Sequence, residues 1–387
     1  MCGGSAGVTL ICIIAGEESG DALGARLMLA LRQARPDAEF MGVGGIRMQG
    51  IGFTSLFPMR ELAVMGLLEV LPKVVQLRRR LNETAQAIIA RRPDVVVTID
   101  SPGFTLRLLK RIKGAGLRRV HYVAPQVWAW REGRVKHFPG LWDRLLCLLP
   151  FEPAFFRHHG LAAEFVGHPV IESGADTGDA VRFRARHGVA PDKQVLIVMP
   201  GSRRSEVGRL LPVFGETLDL LLTRFPDLVP VVPVADAVAD AVRAGTQLWR
   251  VQPIVVTETA DKFDAFAAAS AALAKSGTST LELALAGVPM VVAYRVNPVT
   301  GWIARRLITV EFVCIVNLLA GGAVVPELLQ RDATPARLAA ELGRLLADPD
   351  ASSAQRTGSA AVMAGLRPAF GLPSEAAARE VLAVGGF

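Results

Sequence analysis

Nine short apolar runs, most of them dense in valine, isoleucine and leucine, recur along the chain with helix-length segments between them. This alternation limits the possible folds more than any other feature. VTLICIIA (8–15), DVVVTID (94–100), RVHYVA (119–124) and DRLLCLLP (143–150) come first. QVLIVMP (194–200), LVPVVPV (228–234), QPIVVT (252–257), AALAKS (271–276) and PMVVAY (289–294) follow. A strand with one face in water alternates apolar and polar residues, whereas near-continuous hydrophobicity is required when helices cover both faces of a parallel sheet. Repeated strand–helix units with right-handed crossovers give an α/β fold. The series breaks around 168–192, where Gly174, Asp176, Gly178 and Pro191 leave no strand pattern. The chain is therefore expected to form two Rossmann-like, doubly wound halves facing a cleft.

The length agrees, because 387 residues exceed what one core usually holds. No apolar run approaches the roughly 18 residues of a membrane span. The opening MCGGSAGVTLICIIAG lacks a basic leader region and reads as a first strand, so cytoplasmic residence is expected. Cys2, Cys12, Cys147 and Cys314 are scattered without CxxC pairs or histidines at ligand spacing. Buried free thiols are expected, with neither a disulfide framework nor a metal site. The formal charge of +7 suits an anionic partner. With two tyrosines and no RNA-reading strand or zinc finger, phosphate or lipid ranks above nucleic acid.

Ligands of open α/β sheets bind at the carboxyl ends of strands, so the strand-to-helix loops carry the functional reading. AGEESGDALGARL (15–27) spaces Gly16, Gly20 and Gly24 four apart, which is not the GxGxxG of a dinucleotide site. Such glycines let a ligand or backbone come close. Glu17, Glu18 and Asp21 make the loop acidic, favouring sugar hydroxyls over phosphate; helix capping by Ser19 or Asp21 fits equally. Asp100 ends a wholly apolar strand ahead of Ser101-Pro102-Gly103. There it suits either a general base, its pKa raised by partial desolvation, or a helix cap. MPGSRRSEVGRLL (199–211) runs from strand through Gly201, Ser202 and Arg203 into helix, an arrangement that suits a phosphate without being a Walker loop; an exposed basic helix start is the plainer alternative.

SGTSTLELALAGVPMVV (276–292) leaves two readings open. Backbone N–H groups from Ser276 through Gly277, Thr278, Ser279 and Thr280 suit a diphosphate, and Glu282 suits a ribose diol. Ser279-x-x-Glu282 is also a capping-box pattern, which adds about 1 kcal/mol and needs no ligand.

Taken together, AGEESGD, GVGGIRMQGIGF, ELAVMGLLEVL, HYVAPQVWAWREGRVKHF, LPFEPAFF, FVGHPV, PGSRRSEV, SGTSTLELALAGVPMVVAYR and VVPELLQ occur in the order seen in lipid-A-disaccharide synthases. The resemblance runs from about residue 8 to 330 and implies a metal-independent, inverting glycosyltransferase of the GT-B fold. It implies an acceptor-binding, membrane-facing domain over 1–170, completed by helices from about 355–387, and a UDP-sugar domain over 171–354. The implied reaction transfers 2,3-diacylglucosamine from UDP-2,3-diacylglucosamine to 2,3-diacylglucosamine 1-phosphate, with no cofactor. By the same resemblance Asp100 activates the acceptor's primary hydroxyl, Glu282 anchors the ribose, Ser276–Thr280 lie near the phosphates, and Arg203 neutralises the departing UDP. Glu17, Ser19 and Asp21 are implied near the sugar, and Gln126, Trp128, Trp130, Arg131 and Asn317 near substrate, though the tryptophans equally suit packing. His168 is expected to brace a hinge.

One departure stands out: members often read SLPNLLAGR where residues 314–322 read CIVNLLAGG, so Gly322 replaces an arginine. Four acyl chains also imply a peripheral enzyme on the cytoplasmic face of the inner membrane of a Gram-negative cell. Met59, Leu62, Val64, Met65, Leu67 and Leu68, with Lys73, Arg78, Arg79 and Arg80, form the expected apolar–basic patch; a core helix with a solvated basic end is the plainer reading. A UDP-sugar epimerase, another GT-B transferase and a non-catalytic lipid-binding scaffold share parts of this pattern. The oligomeric state is not legible.

Overall fold

The structure is a computed structural model that describes residues 9–62, 70–297 and 310–387. It divides into two compact units, one running to Pro169 and taking in Leu366–Phe387, the other spanning Val170–Gly365.

In the first unit, β1 (Leu10–Ala15), β2 (Glu39–Val43), β3 (Val95–Ile99), β4 (Arg118–Tyr122), β5 (Arg144–Cys147) and β6 (Ala163–Phe165) form a parallel sheet ordered β2-β1-β3-β4-β5-β6. Alternate residues of one strand enter different cores. Cys12, Ile14 and Val96 join Leu108 and Leu109 on one face, while Ile11, Ile13, Val95 and Val97 join Leu27 and Met28 on the other. Each such side chain contributes about 1.5–3 kcal/mol by leaving water, so neither face tolerates a polar alternation. The C-terminal helix Pro373–Gly385 sets Ala376, Ala377, Ala378 and Val381 into the second of these cores. His168 donates its backbone N–H to Leu366 O, fixing this returning segment to the end of the first sheet's chain.

The second unit repeats the design with β7 (Val195–Met199), β8 (Val229–Pro233), β9 (Ile254–Val256), β10 (Ala271–Lys275), β11 (Met290–Tyr294) and β12 (Glu327–Leu329), ordered β12-β11-β10-β7-β8-β9. The helix Pro349–Gly365 stays here rather than completing the first unit, against the expectation that the return begins near 355. Its buried Gln355 binds the backbone N–H and carbonyl of Met290 at the start of β11, a bond pair no sequence pattern announces.

Strand order reverses at one place in each sheet, between β1 and β3 and between β7 and β10. At such switch points neighbouring loops leave in opposite directions and open a crevice at the carboxyl ends of the strands.

Candidate active site

The first switch point carries Asp100. It follows β3 with φ of 46°, and Ser101 follows at 47°, two consecutive non-glycine residues in the left-handed region. Such backbone is costly and persists only where surroundings enforce it. Here Thr105 Oγ1 donates to the carbonyls of Asp100 (2.6 Å) and Ser101 (3.0 Å), and the Asp100 N–H is held by Tyr122 O at 2.9 Å. Gly16, leaving β1 next door, packs so tightly on Ser101 Oγ that a Cβ there would overlap it. Burial raises the Asp100 carboxyl above the ordinary carboxylate range, opposed by the Ser101 backbone N–H. A half-buried, strain-mounted carboxylate with a raised pKa is a suitable proton acceptor.

The glycine spacing in the first loop serves packing. A Cβ on Gly20 would lie 3.5 Å from Ile99 O, and one on Gly24 would lie 2.6 Å from Met48 Sδ. The helix Glu18–Ala34 thus lies close along the end of β3. Asp21 is a correction to the sugar-binding expectation. Its buried carboxylate accepts N–H groups from Gly45 (2.7 Å), Arg47 (2.9 Å) and Met48 (3.2 Å), capping the short helix Ile46–Gln49. Only 2% exposed, it presents no face to a ligand. Glu17 and Ser19 are exposed at the head of the helix.

A second strained residue follows β4, where Val123 has φ of 80°, an outlier for a β-branched side chain. The loop beyond it exposes Gln126, Trp130 and Arg131, with the Arg131 guanidinium 4.1 Å from the Trp130 ring. Trp128 turns inward instead. Its indole N–H donates to Glu152 Oε1 at 3.1 Å and its ring meets Phe151 edge-on. Glu152 also accepts the N–H groups of Leu148 and Leu149. Burial drives its pKa up to about 7 against these three bonds. Trp128 therefore anchors the loop, and the residue holding it was missed because the glutamate lies 24 positions away.

At the second switch point Gly201 has φ of 121°, and a Cβ there would lie 2.6 Å from Glu206 Oε2, so only glycine fits. Ser202 and Arg203 follow, with Arg203 well exposed at the head of the long helix Arg204–Arg224. Glu206 accepts the N–H groups of Ser202 (3.2 Å) and Arg203 (3.3 Å). Burial would raise its pKa, but Lys275 and Arg203 outweigh that and hold it below the ordinary range.

The register Ala274↔Met199 brings the loop after β10 alongside. Ser276 Oγ donates to Val313 O at 3.0 Å and Thr280 Oγ1 to Gly277 O at 2.7 Å. These two hydroxyls brace the loop, leaving Gly277, Thr278 and Ser279 as its outward edge. The capping-box alternative fails. Thr278, not Ser279, is the N-cap and makes no side-chain cap. Glu282 instead holds Lys262 Nζ through both oxygens, at 3.1 and 3.0 Å. Each carboxylate oxygen keeps a further lone pair, so the group can still accept two hydroxyls. Lys262 lies on the helix Thr259–Ala268, beyond the reach of local motif reading.

Asn317 is another correction. Buried, it accepts Val324 and Val325 N–H and donates to Val325 O and Glu327, so its amide closes a turn rather than meeting substrate. Gly322 faces open space. In the apolar–basic patch, Leu62 is buried in the core and Met59 packs against it. Arg80 is tied to Glu61 and Glu83 and lies over the Phe57 ring, so its charge is paired within the unit. Arg79 pairs with Glu83, and Arg78 is exposed. Val64, Met65, Leu67 and Leu68 lie outside the described residues, as does the Lys73 side chain. Cys12, Cys147 and Cys314 are free and buried.

A family model described as lipid-A-disaccharide synthetase matches residues 11–381. The chain belongs to this family. The lipid-A-disaccharide synthase of Granulibacter bethesdensis is 58% identical over 97% of this chain and 99% of its own. That of Gluconobacter oxydans is 59% identical over 96% and 90%. Among solved structures, the UDP-GlcNAc 2-epimerase of Neisseria meningitidis, bound to UDP-GlcNAc, matches with a TM-score of 0.64 at 11% identity, over 97% of this chain and 98% of that one. At that identity the likeness concerns the fold alone, which is the GT-B class shared by glycosyltransferases and such epimerases. Within the family, a catalytic transferase replaces the epimerase and scaffold alternatives.

Proposed function

We propose that the protein transfers 2,3-diacylglucosamine from its UDP conjugate to 2,3-diacylglucosamine 1-phosphate, releasing UDP and a lipid A disaccharide 1-phosphate. The single observation that carries the site assignment is the meeting, at the second sheet's switch point, of Gly201–Arg203 with Gly277–Ser279 beside a Glu282 that no helix cap consumes. In this reading Glu282 accepts the ribose hydroxyls, Lys262 keeps its carboxylate oriented, and the two loops take the diphosphate. Arg203 stabilises the charge that grows on the leaving UDP.

Asp100 takes the proton of the acceptor's primary hydroxyl. That oxygen bonds to the anomeric carbon as the bond to the phosphate oxygen breaks, UDP departs with the electron pair, and the anomeric centre inverts. No cofactor and no metal enters this scheme. The test is disaccharide formation from the two lipid substrates in the presence of chelator. Product formation that stops with chelation and returns with a divalent cation overturns the scheme.

The acyl chains place these substrates at a bilayer. Among the described residues no helix is long and apolar enough to cross a membrane. We infer peripheral docking on the anionic cytoplasmic face of the inner membrane, supported by the exposed Arg78 and by Val75, 73% exposed, at the head of the same helix. Cosedimentation with phosphatidylglycerol vesicles that weakens with salt is the expected result; indifference to such vesicles at low salt overturns it.

A further inference from the structure

Lys275 is the last residue of β10 and emerges beside the loop after β7. Its Nζ lies 3.0 Å from Glu206 Oε1 and 3.3 Å from where a Cβ on Gly277 would stand, so the ammonium lies next to both loops of the switch point. The Tyr294 ring, 5.6 Å away, forms part of its surroundings. Lys275 and Glu206 are 16% and 12% exposed, so this is a largely desolvated pair. The same carboxylate takes the Ser202 and Arg203 backbone N–H groups at 3.2 and 3.3 Å and the Arg203 guanidinium at 3.1 Å.

Two amides, a guanidinium and an ammonium are the donor set by which proteins hold phosphate. Here they converge on one carboxylate, whose Oε2 is shared by both amides and whose Oε1 is shared by both cations. A phosphate offers three oxygens and more charge to the same donors.

We propose that Lys275 is a further phosphate-binding residue for a nucleoside diphosphate, and that Glu206 is an internal anion which the diphosphate displaces from Lys275 and Arg203. This rests on the reading that these loops take the UDP end of the donor.

The test is titration of UDP and of uridine, the latter by ligand-observed NMR, into the wild-type chain and the variants K275M, K275R, E206Q, R203M and E282Q. K275M should weaken UDP by about tenfold or more, the factor one charge-assisted hydrogen bond supports, while uridine changes less than about twofold. Retained uridine binding shows that the pocket is folded. K275R should recover most of the loss, and E206Q should tighten UDP because a competing anion is gone. UDP binding to K275M within twofold of wild type, while R203M and E282Q weaken it, overturns this inference and leaves the broader reading standing. E206Q weakening UDP in step with K275M also overturns it, by making Glu206 a scaffold. UDP binding unchanged in R203M and E282Q as well refutes the assignment of the loops themselves.

Discussion

Asp100→Asn separates chemistry from folding because the backbone it sits on is unusual. With φ of 46°, residue 100 occupies the left-handed region, which asparagine enters about as readily as aspartate, whereas alanine there costs about 1–2 kcal/mol. Asparagine thus removes the proton acceptor and keeps the loop. Burial raises the Asp100 carboxyl in the folded state, so its contribution to stability is fully present below the ordinary carboxyl pKa and is lost as pH rises through the raised folded value. At pH 8 the native protein bears the cost of a desolvated carboxylate, and the neutral amide relieves it. A general base contributes about 10²–10⁴ in rate, or about 2.7–5.5 kcal/mol of barrier. D100N should therefore lose kcat by that factor while melting at or slightly above the wild-type temperature. D100A should lose activity and stability together. In the wild type, kcat should fall as the solution is acidified through the raised pKa, since only the ionised form accepts a proton. The assay is disaccharide formation at saturating donor from pH 5 to 9, with melting curves at pH 8. If D100N keeps more than a tenth of wild-type kcat, or its loss is matched by a drop in melting temperature, the base assignment is wrong.

Three further outcomes are expected. Glu282→Gln should raise KM for the UDP-sugar about 10–100-fold, as for hydroxyls losing a charged acceptor, with kcat less affected; unchanged affinity for UDP removes the ribose assignment. Its stability cost should stay within about 1 kcal/mol, because the Lys262 pair is partly exposed. Asp21→Ala strips the cap from Gly45, Arg47 and Met48 and should lower stability by about 2–4 kcal/mol in urea, with KM for both substrates unchanged in the folded fraction; a selective rise in KM without destabilisation would return Asp21 to the sugar site. Glu152 has a folded pKa raised to about 7, so its contribution to stability is present below about 4.5 and declines as pH rises through 7. Wild-type urea midpoints should accordingly drop between pH 5.5 and 8 relative to E152Q, and parallel midpoints would refute this.

The fold was largely legible because burying both faces of a parallel strand demands an unbroken apolar run, and central strands such as Val95–Ile99 and Val195–Met199 have one. The strands that escaped, Glu39–Val43, Ala163–Phe165 and Glu327–Leu329, all lie at sheet edges, where a strand is short or partly exposed and its pattern dissolves. The sequence by itself also put Asp100, Gly201–Arg203 and the stretch from Ser276 in strand-to-helix loops, because such loops are contiguous in the chain. It could not choose between meanings for a carboxylate. Asp21 suited a sugar contact or a cap on its own helix, and caps a helix more than twenty residues on; Glu282 suited a ribose contact or a capping box, and is held by Lys262. The partner of a charged group is fixed by distance in space. Only the packing of the sheets, which sets β7 against β10 and β1 against β3, decides which donors reach which acceptor.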